Sequence, residues 1–325
     1  MVKGKEIVRP PYLNKGDKVA FISPAYWLAE EAILQATEVV RSWGLQPILG
    51  KHTNCQEAGA YAGNADERVS DLHWALKQDD VKAIVCSRGG YGSIHLLDRL
   101  SLSLFQEHPK WLIGHGDITM LLSAAVAANT MSIHGPMALQ LCEDYGDTPI
   151  LLRDMLFGTL PQYNLPGHEL NVPGHAEGIL MGGNLSSFSS LAGTKYGLSE
   201  ENDIILFIEE MEEPLHRIDR MFYMLSVKGV MKRVKGVVLG EFTSIRYDLN
   251  FNSVEEMLTH HLEKYNIPVC CGFPVGSNDC LPLIVGAPVT LDVREDGATL
   301  AFNMEGRQLP FHINKGAQSL FRGMR

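Results

Sequence analysis

The sequence is short of positive charge: its 325 residues include 28 Lys and Arg against 38 Asp and Glu, a formal net charge of −10. Such a chain lacks the basic surface that attracts nucleic acids and anionic membranes. It also lacks any run of about 20 apolar residues, the length that a membrane-spanning helix needs. Residues 1–18 contain no apolar core of signal-peptide length. We therefore expect a cytoplasmic protein whose partners are neither nucleic acid nor membrane.

Cysteine is scarce, and the six cysteines show none of the paired CxxC spacing that is typical of a zinc site. The adjacent Cys270 and Cys271 cannot easily form one unstrained disulfide. Neither GxGxxG nor Gly-Lys-Ser occurs, which disfavours a nucleotide-binding protein. These absences predict reduced structural thiols, no metal and no cofactor, and the alternative for the thiols is a metal or redox role.

Hydrophobic residues make up 45% of the chain, enough to fill the cores of two domains. In the N-terminal half, short apolar runs alternate with helical apolar spacing. The patterns predict strands at 18–23, 46–49, 83–86 and 131–134 and helices at 30–43, 66–76 and 93–100. This alternation indicates βαβ units, an α/β fold with a mostly parallel sheet.

The pattern weakens between residues 149 and 173, where Pro and Gly recur. We therefore predict an N-terminal α/β domain at 1–150, a connecting segment at 151–178 and a C-terminal domain at 179–325. The last domain is predicted to contain strands at 204–208, 234–239 and 269–271, helices at 215–227 and 253–264, and a hairpin of 288–293 with 299–303.

The segment 111–119 is the most informative one in the chain. An apolar run ends at Gly114, and Asp117 opens an apolar-periodic helix. Strand, tight turn and helix in this order form a nucleophile elbow, which exposes one side chain beside the free amides of a helix N-terminus. Ser, Cys or Thr is expected at the apex, but the residue there is Gly116, which has no side chain.

A glycine-rich loop follows the strand predicted at 83–86. It contains Arg88, Gly89, Gly90 and Tyr91, and its backbone amides can approach a phosphate or a developing oxyanion. The alternative is an ordinary strand-to-helix turn. A second loop at 272–279 is equally rich in turn-forming residues, and it is either part of a site or a simple connection.

Acidic residues follow the strand predicted at 204–208. Glu209 comes first, and ligands bind at the carboxyl ends of strands in open α/β sheets. Its carboxylate is therefore expected to point into a cleft, with a solvated acidic loop as the alternative. His134 follows another strand and is interpreted as a hydrogen-bonded structural histidine. His115, beside the apex, has a stronger case for function, with a packing role as the alternative.

In their order, these segments resemble the L,D-carboxypeptidase family, which comprises muramoyl-tetrapeptide carboxypeptidases and microcin-C immunity peptidases. The resemblance extends from about residue 15 to residue 311. It is carried by Lys18-Val-Ala-Phe-Ile-Ser-Pro-Ala25, Ser87-Arg-Gly-Gly-Tyr-Gly92, Ile113-Gly-His-Gly-Asp-Ile-Thr119, His134-Gly-Pro136, Gly182-Gly-Asn-Leu185, Leu206-Phe-Ile-Glu209, Arg217-Ile-Asp-Arg220 and Gly272-Phe-Pro-Val-Gly276.

The resemblance implies a cytosolic serine peptidase without a metal, which removes the terminal D-alanine of peptidoglycan tetrapeptides during cell-wall recycling. It further implies a homodimer in which a smaller C-terminal α/β domain and the N-terminal domain enclose the active-site cleft. A peptide or muropeptide is therefore the expected ligand.

Carried over by position, the family's Ser-Glu-His triad is incomplete in this chain. Glu209 matches the Glu, whereas Gly116 stands at the Ser position and Ser277 at the His position. The turn at Gly89 and Gly90 and the amide of Asp117 match the family's oxyanion site. The positions around the substrate are matched by Arg88, Tyr91 and Asn184.

Two hypotheses follow for the activity of this chain. The first is a hydrolase that acts on muropeptide tetrapeptides through an altered site, with His115 as a substitute base. The second is a catalytically silent paralogue that binds a peptide or muropeptide as a sensor, scavenger or regulator. Without a hydroxyl at 116 nothing can be acylated, and without an imidazole near 277 nothing takes its proton. Ordinary serine-peptidase turnover is expected to be absent or very weak.

Overall fold

The computed structural model describes residues 6–56, 59–143, 146–197 and 202–313. Its strands within these ranges are β1 (Lys18–Ile22), β2 (Gln46–Leu49), β3 (Val81–Cys86), β4 (Trp111–Gly114), β5 (Ser132–His134), β6 (Thr159–Pro166), β7 (Gly174–Asn184), β8 (Ile204–Met211), β9 (Val234–Thr243), β10 (Val269–Cys270), β11 (Leu283–Val285), β12 (Pro288–Val293), β13 (Gly297–Phe302) and β14 (Arg307–His312). The α-helices there are α1 (Glu30–Ser42), α2 (Ala65–Lys77), α3 (Ser103–Glu107), α4 (Thr119–Ala127), α5 (Ala138–Leu141), α6 (Thr148–Leu156), α7 (Leu185–Leu191), α8 (Leu215–Val227) and α9 (Val254–Leu262). Short 3-10 helices lie at Ser93–Leu96, Gly116–Ile118, Val230–Lys232 and Glu263–Tyr265.

The first sheet has six strands in the order β11-β5-β4-β3-β1-β2. Its neighbouring strands are parallel, except that β11 runs antiparallel to β5. Strands β3 and β4 are buried along almost their whole length, as is usual for parallel strands that are covered on both faces. The predicted α/β fold with a mostly parallel N-terminal sheet is confirmed.

The second sheet has eight strands in the order β10-β9-β8-β7-β12-β13-β6-β14. Strands β10, β9, β8 and β7 are parallel to one another, whereas β12 runs antiparallel to both β7 and β13. The antiparallel pair β12 and β13 is the predicted hairpin. Alternate residues of both of its strands are buried, the pattern of strands with one face on a core.

The structure differs from expectation in the segment 151–178, which we predicted to be a connection. It contains the end of α6, the whole of β6 and the first residues of β7. Pro161 and Pro166 suggested a loop, yet β6 pairs with β13 and β14 and buries Tyr163 and Leu165. This segment therefore belongs to the second sheet.

Two further differences concern the first sheet. Strand β11 follows the loop at 272–279 but pairs with β5, so the predicted C-terminal domain contributes one strand to the N-terminal sheet. The region 93–100, predicted as a helix, forms only the 3-10 helix Ser93–Leu96. Neither feature has a strong local signal, because a three-residue strand and a single turn are set mainly by tertiary packing.

Contacts between the sheets bring the carboxyl ends of their strands together. The amide of Asn184, at the end of β7, donates to Thr119 Oγ1 at the start of α4 over 3.1 Å. Gly183 lies so close to the same threonine that an added Cβ would stand 2.5 Å from its hydroxyl. His134, at the end of β5, packs edge-on against Phe207 of β8, with ring centroids 5.2 Å apart. The elbow and the end of β8 therefore meet at one junction.

Two composition-based expectations concern membranes and thiols. No helix in the described ranges has both the length and the apolar character needed to cross a membrane. The six cysteines all lie in described residues and are free, which agrees with the prediction of reduced thiols.

Candidate active site

The segment between β4 and α4 forms a tight elbow with Gly116 at its apex. Gly116 has a φ of +59°, in the left-handed region that glycine adopts without strain. The turn is closed by the Ile118 N–H, which donates to the His115 carbonyl over 3.1 Å. A Cβ added at Gly116 would meet no heavy atom within 4 Å. The apex therefore offers open space at the place where an elbow presents its nucleophile.

The glycine-rich loop after β3 packs directly on this elbow. A Cβ added at Gly89 would lie 3.4 Å from the His115 carbonyl oxygen and 3.5 Å from the Asp117 nitrogen. Asp117 ties the two segments together: its Oδ2 accepts the Ser93 N–H over 2.8 Å, and its carbonyl accepts the Ser93 hydroxyl over 2.6 Å. Gly90, with a φ of +104°, continues the same loop. The structure thus brings Gly89, Gly90 and Asp117 together beside the apex.

Arg88 and Tyr91 belong to that loop, and both side chains pack against aromatic residues. The Arg88 guanidinium carbon stands 5.7 Å from the centroid of the Tyr26 ring, and its buried Nε has no hydrogen-bond partner among the described residues. Tyr91 is 48% exposed and packs against His95 and Tyr61 at centroid distances of 5.5 and 6.5 Å. Contact of either side chain with a ligand stays a prediction.

Asn184 is held in place at the end of β7. Its Oδ1 accepts the Ser187 N–H over 3.1 Å, capping α7, and its Nδ2 donates to Glu210 Oε1 over 2.7 Å. The side chain is therefore occupied in positioning Glu210 and the start of α7. Its predicted contact with a substrate remains a prediction.

Glu209 lies near the carboxyl end of β8, opposite Asn184 of β7. Its side chain is only 3% exposed, which excludes the alternative of a solvated acidic loop, and its Oε1 has no hydrogen-bond partner among the described residues. Burial, reinforced by Glu210 and Glu241 and opposed by the Asn184 amide, raises the pKa of Glu209 well above its usual value. The group therefore favours its neutral form.

Ser277 is half-buried in the loop between β10 and β11. Its Oγ lies 2.7 Å from Thr243 Oγ1 at the end of β9, so the two hydroxyls are hydrogen-bonded to each other. The sequence contains no histidine between His261 and His312. The loop therefore brings no imidazole to the cleft.

His115 directs its ring toward the junction of β5 with this loop. Its Nδ1 lies 3.1 Å from the Gly135 carbonyl oxygen and 3.4 Å from Cys280 Sγ. Burial, opposed by the Gly135 contact, lowers the pKa of His115, so the ring is neutral near pH 7. Because Nδ1 donates to the carbonyl, only Nε2 is left to act as a base. The role of substitute base stays a prediction.

The expectation that His134 is hydrogen-bonded is wrong. It is fully buried, and neither ring nitrogen has a hydrogen-bond partner in the part of the chain that the structure describes. Burial lowers the pKa of His134 well below its usual value, and the neighbouring His115 adds to this effect. The ring packs between His115 and Phe207 as an uncharged surface at this junction.

Sequence reasoning missed three residues of the site, namely Glu241, Asp279 and Cys280. Strand β9 extends beyond its predicted end at 239, and Oε2 of Glu241 accepts the N–H groups of Asn278 and Asp279 over 3.0 and 3.3 Å. The signal that selected Glu209, a carboxylate at the end of an apolar parallel strand, applies equally to Glu241 and would have found it.

The Cys280 thiol contacts an imidazole without being an activated nucleophile. Its side chain is fully buried. Burial, reinforced by Glu209, Glu241 and Asp279, raises the pKa of Cys280 well above its usual value. Reactive cysteines are thiolates in electropositive surroundings, so the pair with His115 is not a Cys-His dyad.

The chemical groups of the site are carboxyls on one side and a glycine-rich loop with Arg88 on the other. No three His, Cys, Asp or Glu side chains in the described ranges come together as ligands of one metal ion. An anion fits the loop side and a hydrogen-bond-donating cation fits the carboxyl side.

Comparison with known proteins identifies the family to which this cleft belongs. The family model of the LD-carboxypeptidase N-terminal domain matches residues 19–135, and that of the LD-carboxypeptidase C-terminal domain matches residues 177–291. The chain belongs to the LD-carboxypeptidase family. The first match contains the elbow and the glycine-rich loop, and the second contains Asn184, Glu209 and Ser277. The resemblance seen in the sequence is confirmed.

Relatives of this LD-carboxypeptidase family member match it over most of its length. The murein tetrapeptide carboxypeptidase of Pseudomonas aeruginosa is 30% identical over 273 residues, which cover 80% of this chain and 87% of the relative. The crystal structure of muramoyltetrapeptide carboxypeptidase from Oxalobacter formigenes has a TM-score of 0.80 at 26% identity, covering 89% of this chain and 99% of that one. The microcin C7 self-immunity protein MccF in complex with aspartyl sulfamoyl adenosine shares the fold, with a TM-score of 0.78 at 23% identity over 90% and 98% of the chains.

Proposed function

We propose that this LD-carboxypeptidase family member recognises muropeptide tetrapeptides in its cleft, and that serine-type release of their terminal D-alanine is absent or very weak. The names of the Pseudomonas and Oxalobacter relatives support the ligand class, and the peptide-like ligand of MccF fits the same expectation. The homodimer and the cytoplasmic location that the resemblance implies stay predictions.

The observation that carries the proposal is the open apex at Gly116. The left-handed turn and the space above it suit a nucleophile, but glycine provides no hydroxyl to acylate. At the position assigned to the family histidine, Ser277 is paired with Thr243 and provides no base. A triad enzyme that loses these groups keeps roughly 10³–10⁴-fold catalysis over water, which comes from its oxyanion site and substrate binding.

The silent paralogue is favoured over a hydrolase with an altered site. A water-based mechanism needs a base with a free lone pair near the apex. His115 could take up a proton only at Nε2, and burial lowers its pKa and so weakens it as a base, whereas Glu209 favours its neutral form, which cannot take up a proton. Binding without turnover, as a sensor, scavenger or regulator, therefore agrees better with the geometry.

The test incubates the purified full chain with a muropeptide tetrapeptide and measures both released D-alanine and binding heat. We expect binding with D-alanine release at least about 10³-fold slower than that of the Pseudomonas enzyme assayed in parallel. Release at the rate of that positive control would show that the nucleophile lies elsewhere. Absence of any binding would remove the proposed ligand class.

A further inference from the structure

A β-bulge brings a second carboxylate beside Glu209. The register of β8 and β9 shifts after Ile208, so that Glu209 lies opposite two residues of β9, Gly240 and Glu241. Bulges of this kind often occur beside active sites, where the extra residue turns a side chain out of the regular alternation. Glu209 and Glu241 therefore lie on neighbouring strands at the same edge of the sheet.

The loop after β10 is folded around the Glu241 carboxylate. Two of its amides, those of Asn278 and Asp279, donate to Oε2 of Glu241. A Cβ added at Gly276 would lie 2.6 Å from Glu241 Cβ, so the loop approaches more closely than any residue with a side chain could. Burial and the Asp279 carboxyl, opposed by the Asn278 amide, raise the pKa of Glu241 to about 7.

These carboxyls have no ion-pair partner in the part of the chain that the structure describes. Within the described ranges, no Lys, Arg or His forms an ion pair with Glu209, Glu241 or Asp279. Asp279 donates its N–H to Glu241 Oε2, and Glu241 lies across the bulge from Glu209, so the three acidic residues are neighbours. Among the described residues, the buried Oε1 of Glu209 has no hydrogen-bond partner, and an unsatisfied buried acceptor destabilises the folded state. A ligand that donates hydrogen bonds removes this destabilisation.

We propose that Glu209, Glu241 and Asp279 form a subsite for a primary ammonium group of the bound peptide. The inference rests on the proposed function and adds a chemical group that its ligand carries. An ammonium group has three N–H donors, enough for the unpartnered Glu209 oxygen and for the neighbouring carboxyl pair. A divalent metal fits less well, because the described side chains do not converge as its ligands.

The experiment compares two dipeptide probes that differ in one charged group. Binding of Nα-acetyl-L-lysyl-D-alanine and of Nα-acetyl-L-norleucyl-D-alanine to the full chain is measured by isothermal titration calorimetry at pH 8. Charge-assisted hydrogen bonds are stronger than neutral ones, so we expect the lysyl peptide to bind at least about tenfold more tightly. Both probes share the D-alanine carboxylate, and the ratio of their affinities therefore isolates the ammonium group.

Two variants locate the effect, and a third serves as the matched control. Glu241→Gln and Asp279→Asn keep the size of the side chain and its ability to accept a hydrogen bond, and each is expected to reduce the affinity ratio severalfold. Glu305→Gln removes a carboxylate that is 94% exposed, and it is expected to leave the ratio unchanged. Circular dichroism of each variant confirms that it is folded.

The outcomes separate this subsite from the proposed function. Equal affinities of the two dipeptides for the unmodified chain, together with binding of the muropeptide tetrapeptide, would overturn the subsite alone. An affinity ratio that survives both substitutions would place the ammonium group elsewhere and overturn the assignment as well. Failure of the tetrapeptide and of both dipeptides to bind would overturn the subsite and the proposed function together.

Discussion

The elbow and the loop at 272–279 are held in shape in different ways. At the elbow, Gly116 has the left-handed backbone and the free space of a nucleophile turn, without a side chain at the apex. In the loop, Ser277 is bonded to Thr243, and Glu241 is enclosed by loop amides. The elbow has open space at its apex, whereas the loop holds a set of mutually dependent groups.

This contrast shows that backbone geometry and side-chain chemistry can be separated. The elbow is shaped by its own turn and by the Asp117 contacts to Ser93, none of which involves a side chain at position 116. The loop depends on a side chain of another element, since its amides are paired with Glu241 of β9. Substitutions at the elbow should therefore act locally, and substitutions in the loop should spread.

The largest effect is expected from restoring both triad positions. Gly116→Ser places a hydroxyl in open space, and Ser277→His supplies the imidazole to take its proton. We predict D-alanine release from a muropeptide tetrapeptide about 10²-fold or more above the unmodified chain for the double variant. The expected increase is smaller than the ~10⁶-fold rate enhancement that a complete triad provides, because the loop holds position 277 against Thr243.

The single variants are the controls for this prediction. Each adds a nucleophile without a base or a base without a nucleophile, so we expect their rates to stay within a few-fold of the unmodified chain. If the double variant is folded, binds the tetrapeptide and remains inert, the loop differs from the family by more than one side chain. Full activity of Gly116→Ser alone would mean that His115 or Glu209 already serves as a base.

The fold could be predicted from the sequence wherever a single element carries its own signal. Strand β2, helix α8 and strand β12 begin and end at the predicted residues. Strand β6 was missed because two prolines interrupt it, and β11 was missed because three residues carry too little periodicity. Their places in the sheets depend on partners that are distant in the chain.

The site could be predicted in part for the same reason. The apex at Gly116 and the position of Glu209 follow from local order, a strand and then a turn. The bulge that places Glu241 beside Glu209 cannot be seen in one strand, because it is a property of the pairing between two strands. That the His134 ring finds no hydrogen-bond partner among the described residues is likewise a consequence of packing between the sheets, not of its own segment.

The second prediction concerns how the neighbouring carboxyls on the loop side make the free energy of unfolding depend on pH. Asp279 and Glu209 face Glu241, with the neutral Cys280 thiol beside them, and the folded pKa of Glu241 is about 7 against an ordinary 4.5. A raised pKa stabilises the fold below pH 4.5, and this contribution is lost as pH rises through 7. For Glu241 alone, the free energy of unfolding should fall on the order of 2–3 kcal/mol between pH 5 and pH 8.

Guanidinium unfolding of the unmodified chain and of Glu241→Gln at both pH values tests this. The variant should be the more stable protein at pH 8, and its loss of stability between pH 5 and pH 8 should be smaller. Glu305→Gln, at an exposed site, should keep the slope of the unmodified chain. An unchanged slope in Glu241→Gln would mean that Glu241 titrates normally and that the loop side carries no electrostatic strain.

The smallest expected effects come from a matched pair of alanine substitutions, one on each side of the cleft. The methyl group of Gly116→Ala meets no neighbouring atom, so the loss of stability comes from forcing alanine into a left-handed backbone conformation, roughly 1–2 kcal/mol. The lower conformational entropy of the unfolded variant offsets about 0.4–1 kcal/mol of this loss. Gly276→Ala instead places a methyl group 2.6 Å from Glu241 Cβ, and such overpacking lowers stability by about 1–3 kcal/mol.

The Gly276→Ala variant should also show a weaker preference for the lysyl over the norleucyl dipeptide, because the loop must move away from Glu241. Gly116→Ala should preserve that preference. The contrast would be contradicted if both variants lost equal stability and both still preferred the lysyl dipeptide. The loop would then adapt to a methyl group as freely as the elbow.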